Sequence, residues 1–269
     1  MRNASIADLD SHSWEVLPIG TQYPPDTVLP YHRHRRAQLL YGSTGVMQVD
    51  TQDGSWTVPT HQAVLIPAEV EHLVRFIDVT TWSLYIEPTS VPWWPNRCTV
   101  ITVSPLLREL LQTADTFEIT EMTSPHQHHV FALLLLELQH ASAVPLEVPL
   151  PRDSKLRALC THYLAAPELS VSNQDWARDL MLSQRSLDRT FKDQTGMSPA
   201  AWRTRARVLV GLRLLRTQTI TQISEGMGYA SPAAFTAAFS REIGRVPSSF
   251  QQHSTARRTA RLSRSGARS

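Results

Sequence analysis

Four side chains early in the sequence have the types and spacing to hold a metal ion or a polar ligand. In HRHRRAQLLYGSTG, His32 and His34 stand two apart, which would put both on one face of a β-strand, and Gln38 follows four residues later. In IPAEVEH, His72 stands five residues after Pro67. Imidazoles are ligands for borderline divalent ions, and an amide oxygen is a weak further one. The same groups could line a pocket for a small molecule or be satisfied by hydrogen bonds inside a domain, so both chemistries stay open.

A second set lies between Ser170 and Phe250, where one local pattern is written twice. WARDLMLSQRSLDRTFKDQTGMSP and ISEGMGYASPAAFTAAFSREIGRVP each read as helix, tight turn, helix, Gly and Pro. Leu187 with Phe191, and Phe235 with Phe239, are four apart and mark an inward face on each second helix. The outward face of the first offers Gln184, Arg185, Asp188, Arg189 and Lys192. The outward face of the second offers mostly methyl groups, with Pro232, Ala233, Ala234 and Ala237 beside Ser231 and Thr236. A free helix face of this width fits a DNA major groove, where Arg bonds guanine in pairs and a carboxylate accepts from cytosine.

These residues need elements to position them. Ser183 and Ser231 are good N-caps for the two outward-facing helices, and Ala177 is small enough for close helix approach. A linking helix from about Pro199 to Arg216 has Trp202, Ala206, Val210 and Leu214 as its apolar stripe, and its length of roughly 25 Å separates the two motifs. For the histidines, short β-type runs succeed one another at Gln38–Tyr41, Val46–Thr51, Ser55–Val58, Ala63–Ile66, His72–Phe76 and Thr81–Ile86, with an edge strand at Trp14–Ile19. Asp53-Gly54 is a hairpin turn signal. Many short strands with frequent turns predict a sandwich or barrel. The Pro- and Trp-rich stretch 87–103 reads as a segment wrapping that unit. Helices are expected at Pro105–Gln112 and about Ser124–His140, the second with leucines nearly all round, which suits a dimer helix. His126, His128 and His129 fall in its first turn and read as a solvated helix start. The run VPLEVPLPRD, with Pro145, Pro149 and Pro151, reads as an extended linker. A helix from Asp153 to Leu164 opens the second domain.

Charge divides the chain in the same place. Residues 1–150 hold 7 Lys+Arg against 16 Asp+Glu, a net of −9, while residues 151–269 hold 19 against 8, a net of +11. A basic half suits a polyanion partner and an acidic half a different task. Cys98 and Cys160 fall in different halves and read as free thiols. The longest apolar run, Phe131–Leu136, is too short to span a membrane, and the start of the chain has no signal pattern. The expectation is a soluble, cytoplasmic protein with no membrane partner.

From about Ser170 to Gln252 the sequence resembles the AraC/XylS family of transcription regulators, in the spacing of both motifs, the TGMSP and GRVPSSF stops and Arg207. That resemblance implies DNA contacts at Arg185, Asp188 and Arg189, and at Pro232, Ala233 and Ala237. The two histidine stretches are similar to the paired motifs of the cupin fold, in which His32, His34 and His72 would be metal ligands. Gln38 stands where that family has Glu and Glu69 where it has Gly, so a divalent metal here would rest on three imidazoles and a weak amide oxygen. Met181 replaces a turn Gly and Ser224 an Ala.

The expected fold class is therefore an α+β two-domain chain. Residues 1–150 form a cupin-like β-barrel with flanking helices, for sensing and dimerisation. Residues 151–252 form an all-α domain with two helix-turn-helix motifs, and 253–269, with five Arg and no acid, a basic disordered tail. The expected function is sequence-specific regulation of transcription by a homodimer on a double-stranded operator, controlled by a small molecule or metal and without catalysis. The competing class is a metal-dependent cupin enzyme fused to a DNA-tethering domain, and the missing Glu at position 38 argues against it.

Overall fold

Alternation along the first half sends every second side chain inward, and the strands answer by stacking two five-stranded antiparallel sheets. The computed structural model describes residues 13–24, 26–77, 79–117 and 124–251. Its strands are β1 (Val16–Tyr23), β2 (Thr27–His32), β3 (Ala37–Gly42), β4 (Val46–Thr51), β5 (Gly54–Pro59), β6 (Gln62–Ile66), β7 (His72–Ile77), β8 (Val79–Ile86), β9 (Thr99–Thr102) and β10 (Glu147–Pro149). One sheet runs β1-β8-β3-β6-β9 and the other β10-β5-β4-β7-β2. The expected closed barrel is thus replaced by two separate sheets. Leu40, Val64, Ile66 and Val100 of the first share one core with Met47, Val49, Trp56, Val58, Val74 and Phe76 of the second.

The β4–β5 hairpin forms where Asp53-Gly54 signals it, but the residues between the strands are Gln52 and Asp53, and Gly54 opens β5 without a positive φ. Three strands fall outside the expected runs, and the first of them, β2, pairs with β7. β9 lies in the Pro/Trp-rich stretch and pairs with β6, and β10 lies in the proline linker and pairs with β5 at the sheet edge, where Pro149 is tolerated. The outer face of the first sheet is covered by α1 (Pro105–Ala114) and α2 (Pro125–Gln139). Leu107, Leu111, Leu134 and Leu138 pack there with Leu39, Tyr41 and Leu84. Ser104 caps α1, and Ser124 with Gln127 forms a capping box on α2.

The second half is helical: α3 (Ser154–Ala165), α4 (Asn173–Asp179), α5 (Gln184–Thr195), α6 (Pro199–Leu214), α7 (Ile220–Gly226) and α8 (Pro232–Ile243). Each has a Ser, Thr or Asp N-cap whose side chain accepts from the first turn. Gly196 and Gly244 close α5 and α8 with φ of 72° and 77°. Helix α6 departs from the expected single stripe. Trp202, Arg203, Ala206, Arg207, Val208, Leu209, Val210, Gly211 and Leu212 are all buried, whereas Leu214 is only half-buried. The cause is position, since α6 lies between the other helices and the second sheet. Among the described residues no helix is long and apolar enough to cross a membrane. Cys98 and Cys160 are free and buried, and burial raises both thiol pKa values. Residues 253–269 lie outside the described residues.

Candidate metal centre and nucleic-acid interface

His32 ends β2, His34 lies in the loop to β3, and His72 opens β7. The expectation that His32 and His34 share a strand face is corrected here, because β2 stops at His32 after a register shift beyond Leu29. The loop brings His34 back, and its carbonyl accepts from Glu69 N at 2.9 Å. Glu69 adopts φ of 61°, the left-handed conformation for which a glycine is favoured. One ring nitrogen from each of the three histidines lies within 4.8 Å of the others, and His32 pairs with His72 across β2–β7.

The three rings are held alike. Nδ1 of His32 meets Pro30 O at 2.8 Å, Nδ1 of His34 meets Arg36 O at 2.6 Å, and Nδ1 of His72 meets Val70 O at 2.8 Å. A carbonyl only accepts, so each Nδ1 carries a proton, and a ring in its neutral form presents Nε2 as a lone pair. Nε2 of His72 is buried without a hydrogen-bond partner. Burial lowers the His72 pKa to about 3, with His32 and His34 adding to the effect and the Val70 bond opposing it. His72 is therefore neutral at physiological pH.

Gln38 Oε1 stands 3.1 Å from His34 Nε2, and the Gln38 amide nitrogen lies 3.0 Å from Tyr85 Oη. Three arrangements satisfy this contact: a proton on His34 Nε2 donated to Gln38, a cation held by both atoms, or an amide turned so that it donates to His34 and accepts from Tyr85. Anchored imidazoles of this kind are how proteins orient metal ligands. The set fits zinc or a similar borderline ion, and lacks the carboxylates that suit magnesium or calcium. Sequence pattern alone does not single out Tyr85. Its signal is position, since it pairs with Gln38 across β3–β8 on the inward side.

In the helical half, α4 and α5 meet at a turn where Met181 takes φ of 55° and is 85% exposed. Leu187 and Phe191 are fully buried, and Gln184, Arg185, Asp188, Arg189 and Lys192 are exposed together on the opposite face of α5. Asp188 is not free, since it accepts a hydrogen bond from Asn173 Nδ2 at 3.0 Å. Asn173 Oδ1 accepts in turn from Arg203 Nη2 at 2.7 Å, and the Arg203 guanidinium lies 4.7 Å over the Trp176 ring.

The second pair, α7 and α8, turns at Gly228 with φ of 77°. Phe235 and Phe239 are buried, Pro232, Ala233, Ala234 and Ala237 are exposed, and Ser231 and Thr236 are half-buried. The Ser231 hydroxyl already accepts from Ala234 N at 3.2 Å. Arg207 is buried and donates to Tyr163 Oη at 2.6 Å and Tyr229 Oη at 3.3 Å, so it braces the helices instead of facing outward. Ser224 is fully buried and bonds Thr221 O at 2.9 Å, which satisfies the hydroxyl the alanine exchange adds. His126, His128 and His129 are exposed at the start of α2.

Residues 16–150 match the family described as AraC-like ligand binding domain, and residues 176–253 match the one described as helix-turn-helix domain. The HTH-type transcriptional regulator NimR of Escherichia coli (strain K12) is 29% identical over 220 residues, covering 81% of this chain and 80% of that protein. The arabinose operon regulatory protein of Salmonella typhimurium is 24% identical over 213 residues, covering 69% and 72%. A solved structure of ToxT from Vibrio cholerae aligns with a TM-score of 0.37 at 9% identity, covering 88% of this chain and 98% of that one. The chain belongs to the AraC family of helix-turn-helix transcription regulators.

Proposed function

We propose that the chain is a one-component regulator in which a cupin-like sensor, residues 1–150, controls a DNA-binding unit, residues 151–252, with the basic tail 253–269 adding phosphate attraction. The observation that carries this reading is the pairing, in one chain, of a converging histidine pocket with an exposed basic helix face. Each helix pair, α4–α5 and α7–α8, acts as a helix-turn-helix. Gln184, Arg185, Asp188, Arg189 and Lys192 face the operator from α5, and Ser231, Pro232, Ala233, Thr236 and Ala237 from α8. The 16 residues of α6 span about 24 Å, which sets the two heads in neighbouring stretches of one groove. His32, His34, Gln38 and His72 form the effector site of a protein that works in the cytoplasm as a switch and not as an enzyme.

Two finer readings have their own support. A divalent metal as part of the effector is favoured by the three Nδ1 atoms tied to carbonyls, which leave Nε2 of each ring for a ligand, and by one ring nitrogen of each lying within 4.8 Å of the others. The ion would supply Lewis acidity to an exogenous ligand, while the chain's own part is to hold the three rings oriented. A homodimer is favoured by α2, where His126, His129, Leu133, Leu136 and His140 take a 3-4-3-4 spacing on one exposed side. Leu133 and Leu136 are 39% and 50% exposed there, and no charged side chain interrupts the row.

Selection of bound sequences from random DNA by the full chain tests the reading. Enrichment of one bipartite site is the expected result, and unbiased recovery contradicts it. Elemental analysis of the purified protein, with His34→Ala beside it, tests the metal.

A further inference from the structure

Helix α6 is buried on almost every face, and one of those faces lies against the outside of the sheet that carries His72. All six residues of β5 are buried. Trp56 and Val58 belong to the sandwich interior, while Ser55 and Thr57 alternate to the outer side. Near the end of α6 the Arg213 guanidinium donates to Gln48 Oε1 of β4. The Gln48 amide donates onward to the Asp50 carboxylate at 2.9 and 3.2 Å and to Ser55 Oγ at 3.1 Å, and Ser55 Oγ donates to Asp50 at 2.6 Å. Arg75 of β7 lies 3.7 Å from the same carboxylate. Earlier in α6, the fully buried Trp202 indole donates to Pro149 O of β10 at 2.7 Å. The helix is thus clipped to one sheet at two points.

From the same two regions α6 reaches both outward-facing helices. The Trp202 ring packs 6.0 Å from Phe191 of α5. Gly211 admits the Phe235 ring of α8, which a Cβ at that position would approach to 2.7 Å. On the sensor side, His72 pairs across β4–β7 with Thr51, the residue next to Asp50. One register position and one residue therefore separate the pocket from the carboxylate that α6 reaches through Gln48.

Burial lowers the Arg213 pKa, Arg75 adds to that and Asp50 opposes it. A desolvated guanidinium deprived of its acceptors is costly, so the contact favours two arrangements, closed on Gln48 or released to water. We propose that the Arg213–Gln48–Asp50 contact is a latch between the sensor sheet and the linking helix, through which the histidine pocket sets the disposition of α5 and α8. It rests on the proposed regulator function and adds the route of control.

Hydrogen exchange on the full chain tests it, with His72→Ala as the perturbation of the pocket, in the native background and with Arg213→Met. In the native background, exchange should rise by about three- to tenfold in β7 and also in α5 and α8. With Arg213→Met, the His72→Ala change should stop within the sandwich. Equal transmission to α5 and α8 in both backgrounds, or no transmission in the native one, overturns the latch. Should Arg213→Met fail to fold, Gln48→Leu removes the acceptor instead and the same outcomes apply. The comparison uses no DNA, so a failure to find an operator would contradict the regulator function and leave the latch to be decided by exchange.

Discussion

Asp188 and Asn173, fifteen residues apart in the chain, are joined by a 3.0 Å hydrogen bond from the Asn173 amide to the Asp188 carboxylate. The bond ties the middle of the outward helix α5 to the first turn of α4, and Arg203 completes the chain by holding Asn173. A carboxylate so engaged has fewer lone pairs to offer a cytosine, so under the proposed function base reading on α5 would fall mainly to Arg185 and Arg189.

Arg189→Ala should then relax the operator at one or two base pairs and weaken binding by about 1–3 kcal/mol. Asn173→Ala should act differently, lowering stability by about 0.5–1.5 kcal/mol through the lost bonds. A saturation scan of operator bases, paired with chemical denaturation, separates the two effects. Equal loss of base preference in both variants would show that Asp188 reads DNA after all.

The α8 face is mostly methyl groups, which touch a thymine methyl but make no hydrogen bond to a base edge. Ala237→Ser should change operator affinity by less than about 0.5 kcal/mol. The same operator scan checks it, and a shift in preference as large as that from Arg189→Ala would put equal reading on both helices.

The caps Ser183 and Ser231, the two helix pairs, the position of the β4–β5 hairpin and seven of the ten described strands were legible in local pattern, because caps and turns act within four residues. Pairing was not. Whether strands close a barrel or split into two sheets depends on partners tens of residues away, and β10 forms in a proline-rich run because β5 offers it an edge. The histidine pocket was legible as a set of residues, although His34 reaches it from a loop and Tyr85 joins it across the sheet. The tether on Asp188 and the burial of α6 all round both arise from tertiary placement that periodicity does not carry.

Acid should destabilise the metal-free protein through His72. The unfolded chain takes up a proton on this residue near pH 6.5, whereas the buried ring resists until about pH 3. Its contribution is present above pH 6.5 and is lost as pH falls from there toward 3. Denaturation with chelator present, at several pH values across that window, should show a shallower pH slope for His72→Gln than for the native chain. Parallel slopes would mean the ring titrates normally.

Met181 holds a left-handed φ of 55° while 85% exposed, so its side chain gains little packing for the backbone cost. Met181→Gly should raise the unfolding free energy by about 0.5–1 kcal/mol. A fall in the denaturation midpoint would show that the methionine packs on something that offsets the strain.

Deleting residues 253–269, which carry five Arg and no acid, should weaken selected and random DNA by the same factor and flatten the salt dependence. Binding isotherms at several salt concentrations measure both. A changed sequence preference would place base contacts in the tail.

The proposed function depends on this chain's reading a DNA sequence. The affinity of the full protein for its selected operator against a scrambled duplex, at physiological salt, tests this without an intermediary. A preference of at least about 10³ is expected, much reduced by replacing Arg185 and Arg189 together. Equal affinity for the two duplexes, with the same salt slope, would contradict it.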